Sequence, residues 1–516
     1  MERRPGQSKP SDSQPKKKNV VFFHPDLGIG GAERFIVDAA VGLKNLGHKV
    51  TIFTSHRDRN HCFDEARDGT LDVRVRGNVF PATLFGRFKI LCSIVRQLLL
   101  LVAVTRTGEL AKLEPGVFIL DQLSAGIPFL RWFWEDIHTL FYCHFPDLLL
   151  VQNRKRWYKR VWRVPFDWLE SWGIRGADKV VVNSGFTKDV VEDIWPGLGG
   201  EDGVGIVYPC VDTRSVGKNL AEGKASQELW KDKKVLLSIN RFERKKDVGL
   251  AIKAFGGLTQ EERVGVRLVI AGGYDLREAE NVSYHHELED LARSLKLKSA
   301  TAKNMVSAQA IPDDIEILFL LSVPESLKAT LLATARLLIY TPSNEHFGIV
   351  PLEAGLAGVP VLAANNGGPL ETIEDGETGF LKPPEKVDEW TDIIRECTNA
   401  KNTQNFHSMG EKGKKRAAEV FSESTMAQRL NDKLDETMKA TRPQATELGD
   451  VGMAAILYAI FSVVIAVVIG EAFRLQKAGR TPSAWDIKVG SGIIGLALLG
   501  GATITWKLMQ NESAFT

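Results

Sequence analysis

The sequence predicts two α/β domains, each built around a parallel sheet, followed by apolar segments near the C-terminus. Strand-like runs alternate with helical patterns in two series, and the chain of 516 residues suits two or three domains. Residues 451–470 form a stretch of twenty residues without a charge. The composition, 44% hydrophobic and 25% charged, is that of a globular protein and excludes a wholly disordered or collagen-like chain.

The first domain is expected over residues 19–211. A strand-like run at 20–23 leads into a glycine-rich turn at 26–31, and apolar residues then recur at helical spacing before a strand at 50–53. This strand–helix–strand order predicts a parallel sheet. The further strand-like runs of this domain lie at 117–120, 139–143, 179–182 and 205–208.

The second domain is expected over residues 235–440, after a polar linker at 212–234. Its strand-like runs lie at 235–239, 267–271, 315–319, 337–340 and 359–363. Ligands of open α/β sheets bind outside the carboxyl ends of the strands. We therefore expect a site in the cleft between two such domains that face each other.

Both ends of the chain differ from these domains. Residues 1–18 carry six basic side chains and no apolar core, which indicates a disordered basic tail rather than a secretory signal, with attraction to an anionic membrane or a partner as the alternative. Residues 451–470 are predicted to form a transmembrane helix. A second apolar segment, 489–506, would span or re-enter the membrane. The loop between the two segments carries several basic residues, which favours a cytosolic position for that loop. If the two segments form a simple hairpin, the main domains would then lie in the lumen.

The net charge and the positions of the cysteines argue against some classes of protein. Lysine and arginine total 66 against 64 acidic residues, and the resulting net charge of +2 argues against a dedicated nucleic-acid binder. The five cysteines form no C-x-x-C pair, which is typical of a reducing compartment and argues against a disulfide or zinc framework.

Loops after predicted strands carry the chemistry. Arg241 and Lys246 follow the first strand of the second domain, and two fixed cations there suit a pyrophosphate, although a solvated basic loop fits the same residues. Gly28, Gly30 and Gly31 could bring backbone N–H groups close to an anion, and a plain tight turn is the alternative.

The most specific pattern is E-H-F-G-I-V-P-L-E at 345–353. A glycine-bearing loop leads into a helix, and backbone N–H groups around Phe347 and Gly348 would point at a phosphate. Glu353 could accept hydrogen bonds from ribose hydroxyls. The alternative is a capped helix with a solvated glutamate. The N-G-G-P motif at 366–369 follows the next strand, where a close approach of the backbone to substrate is expected.

These motifs resemble those of the retaining glycosyltransferases of family 4. The segment 345–353 resembles their E-x7-E signature, Arg241 and Lys246 their paired phosphate-binding residues, and the glycines at 28–31 their acceptor loop. The resemblance covers about residues 19–434 and implies the GT-B fold, with two Rossmann-like domains that face each other across a cleft. Three segments resemble the dolichol-pathway α-1,3/α-1,6-mannosyltransferases more narrowly, at 24–34, 142–147 and 240–243.

The narrower resemblance implies a retaining mannosyltransferase of lipid-linked oligosaccharide synthesis. The donor would be GDP-mannose, and the acceptor would be mannosyl-chitobiosyl-diphosphodolichol at the endoplasmic reticulum membrane, with the catalytic domains in the cytosol. The enzyme would add an α-1,3 and then an α-1,6 mannose, and other early dolichol-pathway glycosyltransferases are further expected partners. No Asp-x-Asp pair lies at a suitable strand end, so we expect no metal. We also expect no cofactor and no nucleic acid as a partner.

The resemblance also implies residue roles in a front-side substitution without an enzyme-bound sugar. Glu345 would contact the donor mannose or the reacting hydroxyl, and His144 would face the donor sugar. His144 and His346 also fit structural roles. The residues expected in catalysis are Glu345, His144, Arg241 and Lys246; those expected to bind the donor are Arg241, Lys246, His346, Phe347, Gly348 and Glu353; those expected to bind the acceptor are Gly28, Gly30, Gly31, Gly367 and Gly368.

Some features leave alternatives open. The basic aromatic stretch 154–163 suits a membrane surface, RNA or a solvated face. The apolar run 88–104 suits a core helix or a segment that dips into lipid. Another family-4 glycosyltransferase with a different donor or lipid acceptor, and a non-catalytic membrane scaffold, are the competing functions. An N-x-S sequon at Asn281, if glycosylated, would place the main domains in the lumen and contradict a cytosolic enzyme.

Overall fold

The computed structural model describes residues 17–83, 88–150, 157–213, 230 and 232–442. The chain forms two compact α/β units, as predicted. The first comprises the described residues up to Val181, Gly197–Gly203 and those from Leu430 onward, and the second comprises Val182–Pro196 and Val204–Arg429. The predicted domain boundaries stay predictions, because most of the expected linker lies outside the described residues.

The first sheet has seven strands, β1 (Asn19–Asp26), β2 (Lys49–His56), β3 (Asp72–Val75), β4 (Val117–Asp121), β5 (His138–Cys143), β6 (Lys179–Val182) and β7 (Gly205–Ile206). Their order is β3-β2-β1-β4-β5-β6-β7. β1 pairs in parallel with both β2 and β4. Because the strand order reverses between β1 and β4, a ligand crevice is expected at the carboxyl ends of these two strands.

The second sheet also has seven strands, β8 (Lys234–Ile239), β9 (Val266–Gly272), β10 (Ser299–Ala302), β11 (Ile317–Leu321), β12 (Ala335–Tyr340), β13 (Val361–Ala364) and β14 (Gly379–Lys382). Their order is β10-β11-β9-β8-β12-β13-β14. β8 pairs in parallel with β9 on one side and with β12 on the other. The reversal in this sheet therefore lies between β8 and β12.

Helices connect the strands in both series. Those of the first series are Gly31–Asn45, Lys89–Arg106, Ile127–Phe133, Asp147–Leu150, Trp157–Arg175 and Gly185–Ile194. Those of the second series are Gly249–Gly256, Ala279–Ser294, Met305–Gln309, Glu325–Thr334, Ile349–Leu356, Pro369–Thr372, Val387–Thr398, Thr403–Val420 and Glu423–Lys439. The short 3₁₀ helices are Asp64–Ala66, Ala111–Leu113, Ser124–Gly126, Gly200–Asp202, Arg244–Lys246 and Ala400–Asn402.

The second sheet is covered on both faces, as a parallel sheet requires. Successive residues of β8 show this, because their side chains alternate between the two faces. Leu236 belongs to a buried cluster with Phe255 and Trp390. Val235 and Leu237 belong to a second buried cluster on the other face. Strands buried on both faces give the continuous apolar runs that the sequence displays.

The apolar run 88–104 forms a core helix. The helix Lys89–Arg106 buries Leu91, Leu98, Leu99 and Leu101, each at most 5% exposed. The interpretation as a core helix is thereby supported for this segment. Among the described residues, no helix combines the length and the apolar character needed to cross a membrane. The predicted membrane segments 451–470 and 489–506 lie outside the described residues.

Two basic stretches are described only at their edges. Lys18, the last residue of the predicted tail, is buried, and its ammonium donates to Asn431 at 2.6 Å. In the stretch 154–163, the side chain of Arg163 forms ion pairs of 2.8 Å with Asp147 and Asp167. The charge of Arg163 is therefore compensated within the first unit. The side chains of 154–162 lie outside the description.

Candidate active site

Lys246 and Glu345 meet at the strand reversal of the second sheet. The loop after β8 carries Lys246, and the loop after β12 carries Glu345. The Lys246 ammonium forms an ion pair with a Glu345 carboxylate oxygen, and their side chains are 15% and 22% exposed. The Thr341 hydroxyl donates to the Lys246 carbonyl at 2.7 Å, which ties the two loops together. The structure thus brings together two residues that are 99 positions apart.

The electrostatics of Glu345 favour a carboxylate. Burial would raise the pKa of Glu345, but the charge of Lys246 and its hydrogen bond outweigh burial and hold that pKa below its ordinary value. Tyr340, at the end of β12, has its pKa raised by burial and by the neighbouring Glu345. The site therefore presents a half-buried, ionised Glu345 beside a cation and a neutral tyrosine hydroxyl.

Arg241 lies in the same loop as Lys246 but is far more accessible. Its side chain is 65% exposed and pairs with Glu243 at 3.1 Å. The loop is fixed to the end of β9, because the Asn240 N–H donates to the Ala271 carbonyl at 3.0 Å. A Cβ atom on Gly272 would lie 1.8 Å from the Asn240 carbonyl oxygen, so only glycine permits this approach. Arg241 is thus an exposed cation on a loop that is hydrogen-bonded to the end of β9.

The segment 345–353 forms the predicted loop and helix. Gly348 has a φ of 90° and precedes the helix Ile349–Leu356. Phe347 is buried, and its ring packs 5.8 Å from the rings of Tyr208 and Phe421. The side chain of Phe347 therefore anchors the loop in the core, which leaves its backbone as the part suited to a phosphate. The carbonyl of His346 accepts a hydrogen bond of 2.5 Å from the Ser184 hydroxyl.

Glu353 forms a partly buried ion pair that the sequence did not reveal. Its carboxylate accepts a hydrogen bond of 2.8 Å from Lys328, which also pairs with Glu325 at 2.8 Å. Burial raises the pKa of Glu353, and the charge of Lys328 opposes this rise only in part. Lys328 belongs to the helix Glu325–Thr334. No sequence motif surrounds it, so nothing in the sequence indicated that it contacts Glu353.

Gly367 and Gly368 support the Glu345 loop. The Gly368 N–H donates to the Glu345 carbonyl at 2.7 Å. A Cβ atom on Gly368 would lie 2.1 Å from the Phe347 carbonyl oxygen, and one on Gly367 would lie 2.6 Å from the Glu345 carbonyl oxygen. These glycines allow two loops of the second unit to touch. Their expected contact with the acceptor stays a prediction.

In the first unit, Gly28, Gly30 and Gly31 lie between β1 and the helix Gly31–Asn45. Gly30 is extended and precedes the helix. A Cβ atom on Gly31 would meet no described atom within 4 Å, and one on Gly28 would meet only the His61 carbonyl oxygen, at 4.0 Å. Packing within the described residues therefore does not explain these two glycines. Their expected role at the acceptor stays a prediction.

His144 follows β5 and joins a buried network in the first unit. Its Nε2 lies 3.0 Å from Oδ2 of Asp121, the last residue of β4. Asp121 is fully buried and also contacts Nδ1 of His24, at 2.8 and 2.9 Å. Sequence reasoning missed both partners. His24 belongs to the segment 24–34, which already stands out in the sequence. Asp121 could have been recognised as a charged residue at the end of an apolar strand.

One group of side chains in the described residues could hold a metal ion. It consists of His285, His286 and Glu289 on the helix Ala279–Ser294. None of the predicted site residues belongs to it. The Nε2 of His285 already lies 3.2 Å from the Thr301 hydroxyl.

Comparison with known proteins identifies the family. A family model described as Glycosyltransferase Family 4 matches residues 29–215, and one described as Glycosyl transferases group 1 matches residues 221–416. The alpha-1,3/1,6-mannosyltransferase of Neurospora crassa is 52% identical over 461 residues, which is 88% of this chain and 96% of that protein. The chain belongs to the alpha-1,3/1,6-mannosyltransferase family.

Further relatives agree with this assignment. The alpha-1,3/1,6-mannosyltransferase of Saccharomyces cerevisiae is 42% identical over 438 residues, covering 82% of this chain and 85% of that protein. Among solved structures, a sucrose-phosphate synthase from Thermosynechococcus elongatus matches with a TM-score of 0.60 at 18% identity, covering 82% of this chain and all of that one. That likeness shows the GT-B fold, with its two Rossmann-like α/β domains. As a member of the mannosyltransferase family, the protein is a glycosyltransferase.

Proposed function

We propose that the protein transfers mannose from GDP-mannose to mannosyl-chitobiosyl-diphosphodolichol, first in α-1,3 and then in α-1,6 linkage, with retention of configuration. Membership of the alpha-1,3/1,6-mannosyltransferase family supports the sugar and the linkages. The observation that carries the proposal is the Lys246–Glu345 pair at the strand reversal of the second sheet. A nucleotide sugar bound at that edge would place its diphosphate beside a cation and its sugar beside a carboxylate.

The chemistry follows from these charges. The bond between the mannose C1 and the β-phosphate oxygen breaks, and the acceptor oxygen bonds to C1 on the same face. The departing β-phosphate oxygen takes the proton of the acceptor hydroxyl, and GDP leaves. Lys246 and Arg241 stabilise the charge that grows on the diphosphate, which lowers the barrier most when the cations are fixed beforehand. Ionised Glu345 fixes Lys246 and stabilises the oxocarbenium-like sugar.

Nucleotide recognition would involve Glu353. Its carboxylate is only 13% exposed and is held by Lys328, so it is already oriented to accept hydrogen bonds from ribose hydroxyls. Backbone N–H groups near Gly348, at the start of the helix Ile349–Leu356, would face the phosphates. Two basic side chains in place of a divalent cation support a reaction that needs no metal.

The setting of the reaction is part of the proposal. A dolichol-linked acceptor requires a membrane, and the uncharged stretch 451–470 has the length of a membrane helix. GDP-mannose is a soluble donor, so we place the two α/β units on the cytosolic face of the endoplasmic reticulum. Other early enzymes of the same pathway are the expected partners there.

The experiment is a donor comparison with purified full-length protein in detergent. GDP-mannose, GDP-glucose and UDP-glucose are each supplied with a synthetic mannosyl-chitobiosyl-diphosphate lipid, with and without EDTA. We expect transfer from GDP-mannose at a rate that EDTA leaves unchanged. Transfer from another nucleotide sugar would overturn the donor assignment, and loss of transfer in EDTA that Mg²⁺ or Mn²⁺ restores would overturn the metal-free reaction.

A further inference from the structure

A buried carboxylate links two histidines at the strand reversal of the first sheet. Asp121 ends β4, and His24 lies in the neighbouring strand β1. Asp121 and the side chain of His24 are fully buried, and His144 is 20% exposed. The predicted site residue His144 is therefore the accessible end of a chain of three side chains.

The hydrogen bonds determine where the protons lie. Nε2 of His24 lies 3.0 Å from the carbonyl oxygen of Asp26, which can only accept, so this nitrogen carries a hydrogen. Nδ1 of His24 faces both oxygens of Asp121, so it also donates. His24 is thus an imidazolium and Asp121 a carboxylate. Nε2 of His144 faces the same carboxylate and carries a hydrogen as well.

The surroundings favour this assignment. Burial would lower the pKa of His24, but the charge and hydrogen bond of Asp121, with the charge of Glu33, raise it above its ordinary value. Burial would raise the pKa of Asp121, but His24 and His144 together hold it below its ordinary value. The ring of His144 also packs edge-on against Tyr142, at 4.8 Å between centroids, which limits its rotation.

We propose that Asp121 and His24 are positioning residues that hold the ring of His144 in one orientation, with its Nε2–H donated to Asp121, so that His144 meets the sugar in a fixed geometry during mannosyl transfer. This inference rests on the proposed function. Because His24 balances the charge of Asp121, the carboxylate can stay fully buried and hold the ring of His144 in place.

The test is a double-mutant cycle on kcat for mannose transfer from GDP-mannose. Asp121→Asn should lower kcat by about tenfold or more, because a misplaced His144 ring loses its productive orientation toward the substrate. In a His144→Ala background the same change should have no further effect, since Asp121 acts through His144. Asp178→Asn is the matched control, because Asp178 is a buried carboxylate paired with Arg442 at 2.8 Å in the same unit. It should leave kcat within about twofold of the wild type.

A second variant covers the case in which Asp121→Asn fails to fold. His24→Gln keeps a hydrogen-bond donor but removes the charge that balances Asp121. His24→Gln should lower kcat in the otherwise wild-type protein and have no further effect in a His144→Ala background, because His24 acts through Asp121 on His144. Among the described residues, Glu33 and the ion pair of Asp26 with Arg96 at 2.9 Å also lie near this network, and the variant changes none of the three.

The outcomes separate this inference from the proposed function. A wild-type protein that transfers no mannose contradicts the proposed function before any variant is compared. If the wild type is active but the losses of Asp121→Asn and His144→Ala multiply, or Asp178→Asn lowers kcat equally, the positioning role is wrong. An unchanged kcat in His24→Gln, or a loss of kcat that persists in the His144→Ala background, would likewise overturn it.

Discussion

At the scale of single residues, Lys246 is the cation whose place is best defined. It is partly buried and paired with Glu345, whereas its neighbour Lys245 is exposed and pairs with Glu243. We predict that Lys246→Met weakens GDP-mannose binding at least about tenfold, which corresponds to about 1.4 kcal/mol. Lys245→Met removes the same charge one residue away and should change binding less than threefold. Calorimetric titration with GDP-mannose measures both, and equal losses would contradict the assignment.

Glu353 has a similar matched partner in Glu325, since both contact Lys328. We predict that Glu353→Gln raises the Kd for GDP about tenfold, because the buried carboxylate loses its hydrogen bonds to ribose. Glu325 is exposed, and Glu325→Gln should leave the Kd near that of the wild type. The comparison uses titration with GDP alone, and a GDP affinity unchanged in Glu353→Gln would remove Glu353 from the site.

His24 makes stability depend on pH in a defined direction. Its folded-state pKa is raised above the ordinary value of 6.5, so it stabilises the fold fully below pH 6.5. That contribution is lost as pH rises through the folded-state pKa. We predict that the thermal midpoint of the first unit falls over this window in the wild type, and that His24→Gln lacks this component. His286→Gln, at an exposed histidine, should keep the wild-type slope, and the same slope in all three proteins would contradict the prediction.

At the scale of elements, the contact between the two glycine-bearing loops decides the position of Glu345. A Cβ atom on Gly368 would collide with the Phe347 carbonyl, so we predict that Gly368→Ala costs more than about 1 kcal/mol and raises the KM for GDP-mannose. Gly376 has a φ of 76° and room for a Cβ atom. Gly376→Ala should cost about 1–2 kcal/mol through backbone strain alone and leave KM unchanged. Urea unfolding and steady-state kinetics distinguish the two variants. Equal KM values would contradict the role of Gly368 in supporting the Glu345 loop.

The strands that the sequence revealed and those it did not differ in a physical way. The apolar runs at 20–23, 117–120 and 235–239 correspond to central strands, which are buried on both faces. β3, β10 and β14 escaped notice, and all three lie at sheet edges, where exposure removes the continuous apolar run. The residues of the motifs could be placed at strand ends because the strands before them are buried and therefore recognisable as apolar runs.

At the scale of the whole molecule, the sequence predicted the loops of the site better than the residues that hold those loops and side chains in place. Arg241, Lys246 and the segment 345–353 carry recognisable spacing. Lys328 and Asp121 act through the packing of distant strands and helices, which no local pattern encodes. The core position of the Phe347 side chain was also unexpected, since the motif alone does not say which part of a residue faces a ligand.

The most direct test of the central claim is the mass and linkage of the product formed by purified full-length protein from GDP-mannose and a synthetic mannosyl-chitobiosyl-diphosphate lipid. We predict gains of one and then two hexoses, both removable by α-mannosidase. Glu345→Ala should abolish both gains, while Glu377→Ala, at an exposed glutamate paired with Lys412, should keep them. Hexoses resistant to α-mannosidase, or transfer that survives Glu345→Ala, would contradict retaining mannosyl transfer at this site.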